Sequence, residues 1–185
     1  MDAAPSSAAP SSDAPSPAAR AAVGALRARG WTLGTAESLT AGLVAATVAE
    51  VPGASAVLRG GLIVYATSLK HELADVPSEV LDRHGAVSPE TARALAVGAA
   101  RRCGADVGVG LTGVAGPDTQ EGRPVGTVYV GLSVPGRPAW SVPLSLPGDR
   151  AAIRRAACEA ALGLLVTAAG GDRRGDDDAG NESGS

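Results

Sequence analysis

The sequence predicts an α/β fold: a three-layer α/β/α sandwich with a mixed sheet. Three observations carry that expectation. Short apolar runs alternate with Ala-rich helical stretches through the first part of the chain, as parallel strands linked by helices require. Two later runs flank Pro135-Gly136-Arg137-Pro138 and read as an antiparallel hairpin. A closing apolar helix then follows, so helices are available for both sheet faces.

The elements follow in order. Ala18 to Arg29 sets Ala21, Ala22, Ala25 and Leu26 among arginines and predicts a helix stopped by Gly30. Trp31–Ala36 is the first strand, and Thr40–Glu50 a buried helix ended by Pro52-Gly53. Ala54–Arg59 is a short helical turn and Gly60–Ala66 the second strand. Ser68–Ala74 is helical, and Pro77 restarts a helix through Asp82 or Arg83. Ser88-Pro89-Glu90-Thr91 opens the next helix, with Ser at N-cap, Pro at N1 and an acid in the first turn; it runs to about Arg102. Asp106–Leu111 is the third strand, and residues 112–125 form a Gly/Pro loop. Thr127–Val134 and Trp140–Leu146 make the hairpin. Asp149 caps the last helix, through about Thr167. No internal repeat is present.

Composition sets the boundaries. Residues 1–17 are almost all Ala, Pro, Ser and Asp, and residues 170–185 are Gly, Asp, Arg, Ser and Asn around Asp176-Asp177-Asp178. Neither stretch holds enough apolar surface to offset its ordering entropy, so both are expected to be disordered tails around one domain, 18–169. Of the formal charge of −3, residues 1–20 carry −1 and residues 172–185 carry −3, which leaves the body at +1, near neutral. No basic stripe and no aromatic platform argues for nucleic acid: the chain has no Phe, and its aromatics are Trp31, Tyr65, Tyr129 and Trp140. Cys103 and Cys158 lie in helical patterns without CxxC spacing, which argues for buried thiols rather than a metal cluster or disulfide. With neither a run of 18 apolar residues nor a signal peptide, the expectation is a cytoplasmic protein without a membrane span.

Chemistry gathers at the expected strand ends. Ser38 follows the first strand, Tyr65-Ala66-Thr67-Ser68-Leu69-Lys70 closes the second, and Thr112-Gly113-Val114-Ala115-Gly116-Pro117 follows the third. Ligands of open α/β sheets bind outside those carboxyl ends. Ser38 at a strand-to-helix turn is either a helix N-cap or a nucleophile beside free backbone N–H groups. A nucleophile needs a base. His71 and His84, the two histidines, carry no specific sign of a Ser-His-Asp triad. Lys70 is the only lysine in a chain that otherwise uses arginine, and a desolvated lysine serves as a base where arginine does not. Drift toward arginine also accounts for its being alone. Tyr65 either relays a proton and orients Lys70 or simply ends an amphipathic strand with its hydroxyl in water. The 112–117 loop offers backbone N–H groups to a phosphate or carboxylate, or is a tight turn; it is neither a Walker loop nor a Rossmann fingerprint. Arg150 and Arg154, four apart on the last helix, either meet a substrate phosphate or are solvated or paired with Glu159.

Seven segments resemble, in order, the CinA C-terminal domain family, the nicotinamide-nucleotide amidohydrolases. They are Thr35-Ala36-Glu37-Ser38-Leu39-Thr40-Ala41-Gly42, Pro52-Gly53-Ala54-Ser55, Gly60-Gly61-Leu62-Ile63-Val64-Tyr65 with Lys70, His84-Gly85-Ala86-Val87-Ser88, Thr112-Gly113-Val114-Ala115-Gly116-Pro117, Arg123-Pro124-Val125-Gly126-Thr127-Val128 and Pro147-Gly148-Asp149-Arg150. The likeness covers about residues 20 to 168, in a stand-alone form without the larger partner domain of longer members. It implies hydrolysis of the carboxamide of nicotinamide mononucleotide to nicotinate mononucleotide and ammonia, in pyridine-nucleotide salvage. It implies Ser38 as nucleophile, Lys70 as base and Tyr65 as its partner. Backbone around Thr40 and Gly42 would form the oxyanion hole, and Thr112, Gly113, Gly116 and Arg150 would help to hold substrate. No metal or other cofactor is implied; a homodimer is. Ala41 stands where the family has glycine, Arg123 where it has lysine and Leu146 where it has an aromatic residue. A methyl at 41 either narrows the oxyanion region or is harmless if the backbone there is helical. The alternatives to this activity are a non-catalytic nucleotide-binding accessory linked to competence or DNA damage, and a hydrolase of another amide.

Overall fold

The computed structural model describes residues 14–170. The tail expectations for 1–13 and 171–185 lie outside the described residues. Within them, order begins before residue 18: Ser16 Oγ accepts from Ala19 N at 3.1 Å, Pro17 takes the first helical position, and α1 (Pro17–Arg29) ends on left-handed Gly30. At the other end α6 spans Arg150–Gly170, with Asp149 Oδ1 capping Ala152 N at 2.8 Å.

Five strands form one sheet in the order β2-β1-β3-β4-β5: β1 (Leu33–Glu37), β2 (Leu58–Ile63), β3 (Val107–Gly113), β4 (Thr127–Ser133) and β5 (Trp140–Ser145). β1 pairs in parallel with β2 and β3, while β3-β4 and β4-β5 are antiparallel. The mixed sheet is therefore present. β2 begins two residues earlier than the sequence predicts and stops at Ile63, because its register follows β1 from Leu33↔Leu58 to Glu37↔Ile63. Pro143 is accommodated because β5 is an edge strand.

Helices cover both faces. On one side Val107, Val109 and Leu111 of β3 and Val128, Val130 and Leu132 of β4 pack with Leu26, Val44, Ile153, Leu162 and Leu165 from α1, α2 (Leu43–Ala49) and α6. On the other lie α3 (Thr67–Glu72), α4 (Ser78–His84) and α5 (Pro89–Cys103). There the sheet turns glycines toward α5. A Cβ at Gly108 would collide with Ala96 O, and one at Gly131 with Ala92 O. At these glycines the α5 backbone therefore rests directly on the sheet.

The topology places the site. From β1 the chain moves to β2 on one side, then crosses to β3 on the other, so a switch point lies at the carboxyl ends of β1 and β3.

Candidate active site

Ser38 stands one residue beyond β1, and its N–H donates to Leu111 O at 3.0 Å, which carries the ladder one step further. It is not a helix cap. The helix expected from Thr40 begins at Leu43, and a carboxylate takes the capping role. Glu37, 1% exposed, accepts from Gly42 N at 2.9 Å and Val44 N at 3.0 Å through Oε2, and from Ala45 N at 2.9 Å and Thr35 Oγ1 at 3.0 Å through Oε1. A buried carboxylate is tolerated here because donors and the helix N-terminus surround it. The 38–42 loop is pinned from a second side: Arg154 donates to Leu39 O at 2.9 Å and Thr40 O at 2.8 Å. Arg154 thus engages backbone rather than Glu159 and ties α6 to the serine loop.

Lys70 approaches from α3. Its ammonium donates to Val64 O at 2.9 Å and lies 3.2 Å from Ser38 Oγ. The side chain is 2% exposed, and Ser38 is 8% exposed. Burial pulls the Lys70 pKa from 10.5 down to about 8, against the opposing pull of the Glu121 carboxylate. A lysine in that range supplies a usable neutral fraction near physiological pH.

Around this pair lies a cavity of about 260 Å³ lined by Ser38, Tyr65, Lys70, Thr112, Gly113, Gly116 and Arg150, together with Ala86, Val87 and Asp118. That volume is close to the lower end of small-molecule sites, roughly 300–1,000 Å³, so a small ligand fits it better than a polymer. Most of the residues singled out in the sequence thus meet in one place.

Some occupy different roles there. Tyr65 is 53% exposed, and its hydroxyl accepts from Arg150 Nη2 at 2.5 Å rather than contacting Lys70. Arg150 Nη1 donates to Gly116 O at 2.7 Å, so the guanidinium is braced at the rim. Thr112 Oγ1 donates to Ala86 O at 2.6 Å, which leaves its hydroxyl proton committed to the protein. Thr40 and Gly42 do not line the cavity. The Gly42 N–H is engaged by Glu37, which removes it as an oxyanion donor. The Thr40 hydroxyl is fully buried without a partner among the described residues. Ala41 has φ 51°, so its backbone is left-handed, not helical.

Neither histidine lines the cavity. His71 Nδ1 lies 2.8 Å from Val76 O, and His84 Nδ1 lies 3.7 Å from Glu90 Oε2. Among the described residues no group of His, Cys, Asp and Glu is gathered to hold a metal ion, and no helix is long and apolar enough to cross a membrane.

Sequence reasoning overlooked Glu37 and Glu121. An acid inside an apolar strand, just before a candidate helix, was a usable sign for Glu37, because burial obliges it to find donors. The Glu121 carboxylate accepts from Ala86 N and Val87 N, each at 3.1 Å. Nothing local in the sequence joins positions 35 residues apart.

Comparison with known proteins agrees with this architecture. A family model described as the CinA C-terminal domain matches residues 16–169. A competence-damage inducible protein of Limosilactobacillus reuteri is 45% identical over 149 residues, covering 80% of this chain and 36% of that protein. A CinA-like protein of Frankia casuarinae is 48% identical over 144 residues, covering 77% of this chain and 33% of that protein. The chain thus spans about a third of the length of these curated relatives. The crystal structure of a competence-damaged protein (CinA) superfamily protein from Klebsiella pneumoniae superposes with a TM-score of 0.79 at 30% identity, covering 82% of this chain and 95% of that one.

Proposed function

The chain belongs to the CinA C-terminal domain family, and from that premise we propose that it hydrolyses the carboxamide of nicotinamide mononucleotide to nicotinate mononucleotide and ammonia. The observation that carries this reading is the buried Lys70 ammonium 3.2 Å from Ser38 Oγ, at the end of a cavity rimmed by Arg150.

Neutral Lys70 takes the Ser38 proton as Oγ attacks the amide carbon. The tetrahedral oxyanion is met by the backbone N–H of Leu39, which lines the cavity and donates to no acceptor among the described residues. The Lys70 ammonium then protonates the departing nitrogen, the C–N bond breaks and ammonia leaves an ester on Ser38. Lys70, neutral again, removes a proton from water. The water oxygen attacks the ester, and Ser38 recovers its proton as nicotinate mononucleotide departs. Tyr65 assists through Arg150, which it holds at the rim. Arg150, with backbone from Thr112, Gly113 and Gly116, takes the phosphate, and that remote binding energy orients the amide. The reading includes a cytoplasmic setting in pyridine-nucleotide salvage. It also includes a homodimer, supported by exposed Ile63 and Leu73 on and near edge strand β2.

The test is ammonia release from nicotinamide mononucleotide by the protein and by Ser38→Ala. Release that the variant retains would end the assigned mechanism. The left-handed Ala41 within the serine loop favours a second reading, a nucleotide-binding accessory without turnover. Calorimetric binding of nicotinamide mononucleotide with no ammonia released would select it.

A further inference from the structure

Part of the cavity wall is a hairpin arm. Val114 N donates to Thr127 O and Gly126 N to Val114 O, each at 2.8 Å, and these bonds close its base. At its tip Gln120 and Arg123 exchange backbone hydrogen bonds at 3.3 and 2.8 Å around Glu121-Gly122. Both central residues have positive φ, 51° and 71°. Glu121 thus holds a left-handed backbone that a non-glycine residue rarely adopts. The carboxylate presented by this turn accepts from Ala86 N and Val87 N. Among the described residues these are the only hydrogen bonds between residues 117–123 and the rest of the fold.

The dock is rigid. Thr91 Oγ1 donates to Gly85 O at 2.7 Å, Thr112 Oγ1 donates to Ala86 O, and Ser88 caps α5. It is also shaped to admit the carboxylate. Gly85 has φ 78°, and a Cβ there would stand 2.5 Å from Glu121 Oε2. Cavity lining comes from both partners: Ala86 and Val87 on the dock, and Pro117, Asp118, Thr119 and Gln120 on the arm. Holding dock and arm together therefore fixes the width of the ligand site.

We propose that Glu121 is a positioning residue that latches the 117–123 arm onto the Gly85–Val87 segment, so that the arm forms the wall against which the nucleotide part of the ligand is held. Glu121 touches neither Ser38 nor the reacting atoms; it acts through the wall. The inference rests on the functional reading above only for the identity of the ligand.

The test compares the wild-type chain with Glu121→Gln, which keeps one acceptor, and Glu121→Ala, which keeps none. Amide hydrogen exchange across residues 85–88 and 117–123 reads the latch without any turnover. Calorimetry with nicotinamide mononucleotide and steady-state ammonia release read its consequence. Expected are faster exchange in both segments, a three- to tenfold rise in Kd and KM for Glu121→Ala, a smaller rise for Glu121→Gln, and kcat within twofold when compared above pH 9, where Lys70 is neutral with or without the Glu121 charge beside it. A wild type that binds without releasing ammonia would refute the deamidase reading and leave the latch open to exchange and calorimetry. Unchanged exchange and unchanged Kd in Glu121→Ala would overturn the latch, whatever the activity. An equal loss of kcat with unchanged KM would overturn it as well.

Discussion

Replacing Lys70 by methionine separates what this residue does for chemistry from what it costs the fold. Methionine fills much the same volume and carries no charge. Burial takes the Lys70 pKa from 10.5 to about 8, and at about 1.4 kcal/mol for each tenfold that places a ceiling of about 3 kcal/mol on the cost of the buried ammonium. Water in the cavity screens part of this, and the variant loses the 2.9 Å hydrogen bond to Val64 O, worth about 1 kcal/mol. The net expectation at pH 7 is a variant about 1–2 kcal/mol more stable and devoid of turnover. The sign against pH follows from proton counting. Below pH 8 both folded and unfolded chains hold the proton, so the penalty on the wild type is complete. Between pH 8 and 10.5 the unfolded chain still holds a proton that the folded one has released, and wild-type stability climbs relative to the variant. Above that window neither state is charged, and the advantage of methionine is gone. Urea denaturation of both proteins at half-unit steps from pH 7 to 10.5 measures the difference, in which the titration of other groups cancels. A difference that stays constant over this window, or a methionine variant less stable at pH 7, would refute the idea that charge burial tunes Lys70.

Three further outcomes are expected. Deamidation should rise about tenfold from pH 7 to 9, with a midpoint near the Lys70 value of about 8; a flat profile would remove Lys70 as base. Ala41→Gly should raise unfolding stability by about 0.5–1 kcal/mol, because Ala41 is exposed at φ 51° and release from a left-handed backbone outweighs the added chain entropy; calorimetric melting of the pair decides, and a lower melting point for glycine contradicts it. Glu37→Gln should cost about 3 kcal/mol in chemical denaturation, since an amide cannot accept from all four donors; a cost below about 1 kcal/mol would mean that the loop does not depend on the carboxylate.

Much of this was legible in the chain. Helix starts with local chemistry, such as Ser88-Pro89 and Asp149, fall where their caps place them. Lys70 stood out by composition, and the strand-end segments met at the switch point that alternating elements imply. Long-range partnerships were not legible. Arg154 reads as a surface or phosphate-binding residue until α6 is known to pass the serine loop. Tyr65 reads as the lysine's partner until Arg150, 85 residues away, arrives beside it. The first turn of α2 was misplaced because helix propensity says nothing of a carboxylate that claims the N–H groups from the preceding strand.

The glycine seam beneath α5 makes the two faces of this protein unequal in what they tolerate. Where α1, α2 and α6 meet the sheet, side-chain volumes are traded between neighbours, and a lost methyl in one residue can be regained in the next. Under α5 that exchange is confined to clusters such as Leu95 and Ala99 with Ala36 and Val64, and it is absent at Gly108, Gly110 and Gly131, where backbone lies on backbone. Any added carbon there must shift the whole helix, and Ser88 and the Gly85–Val87 dock shift with its N-terminus. A side chain added at these glycines is thus felt in the width of the cavity, a coupling that the opposite layer does not share.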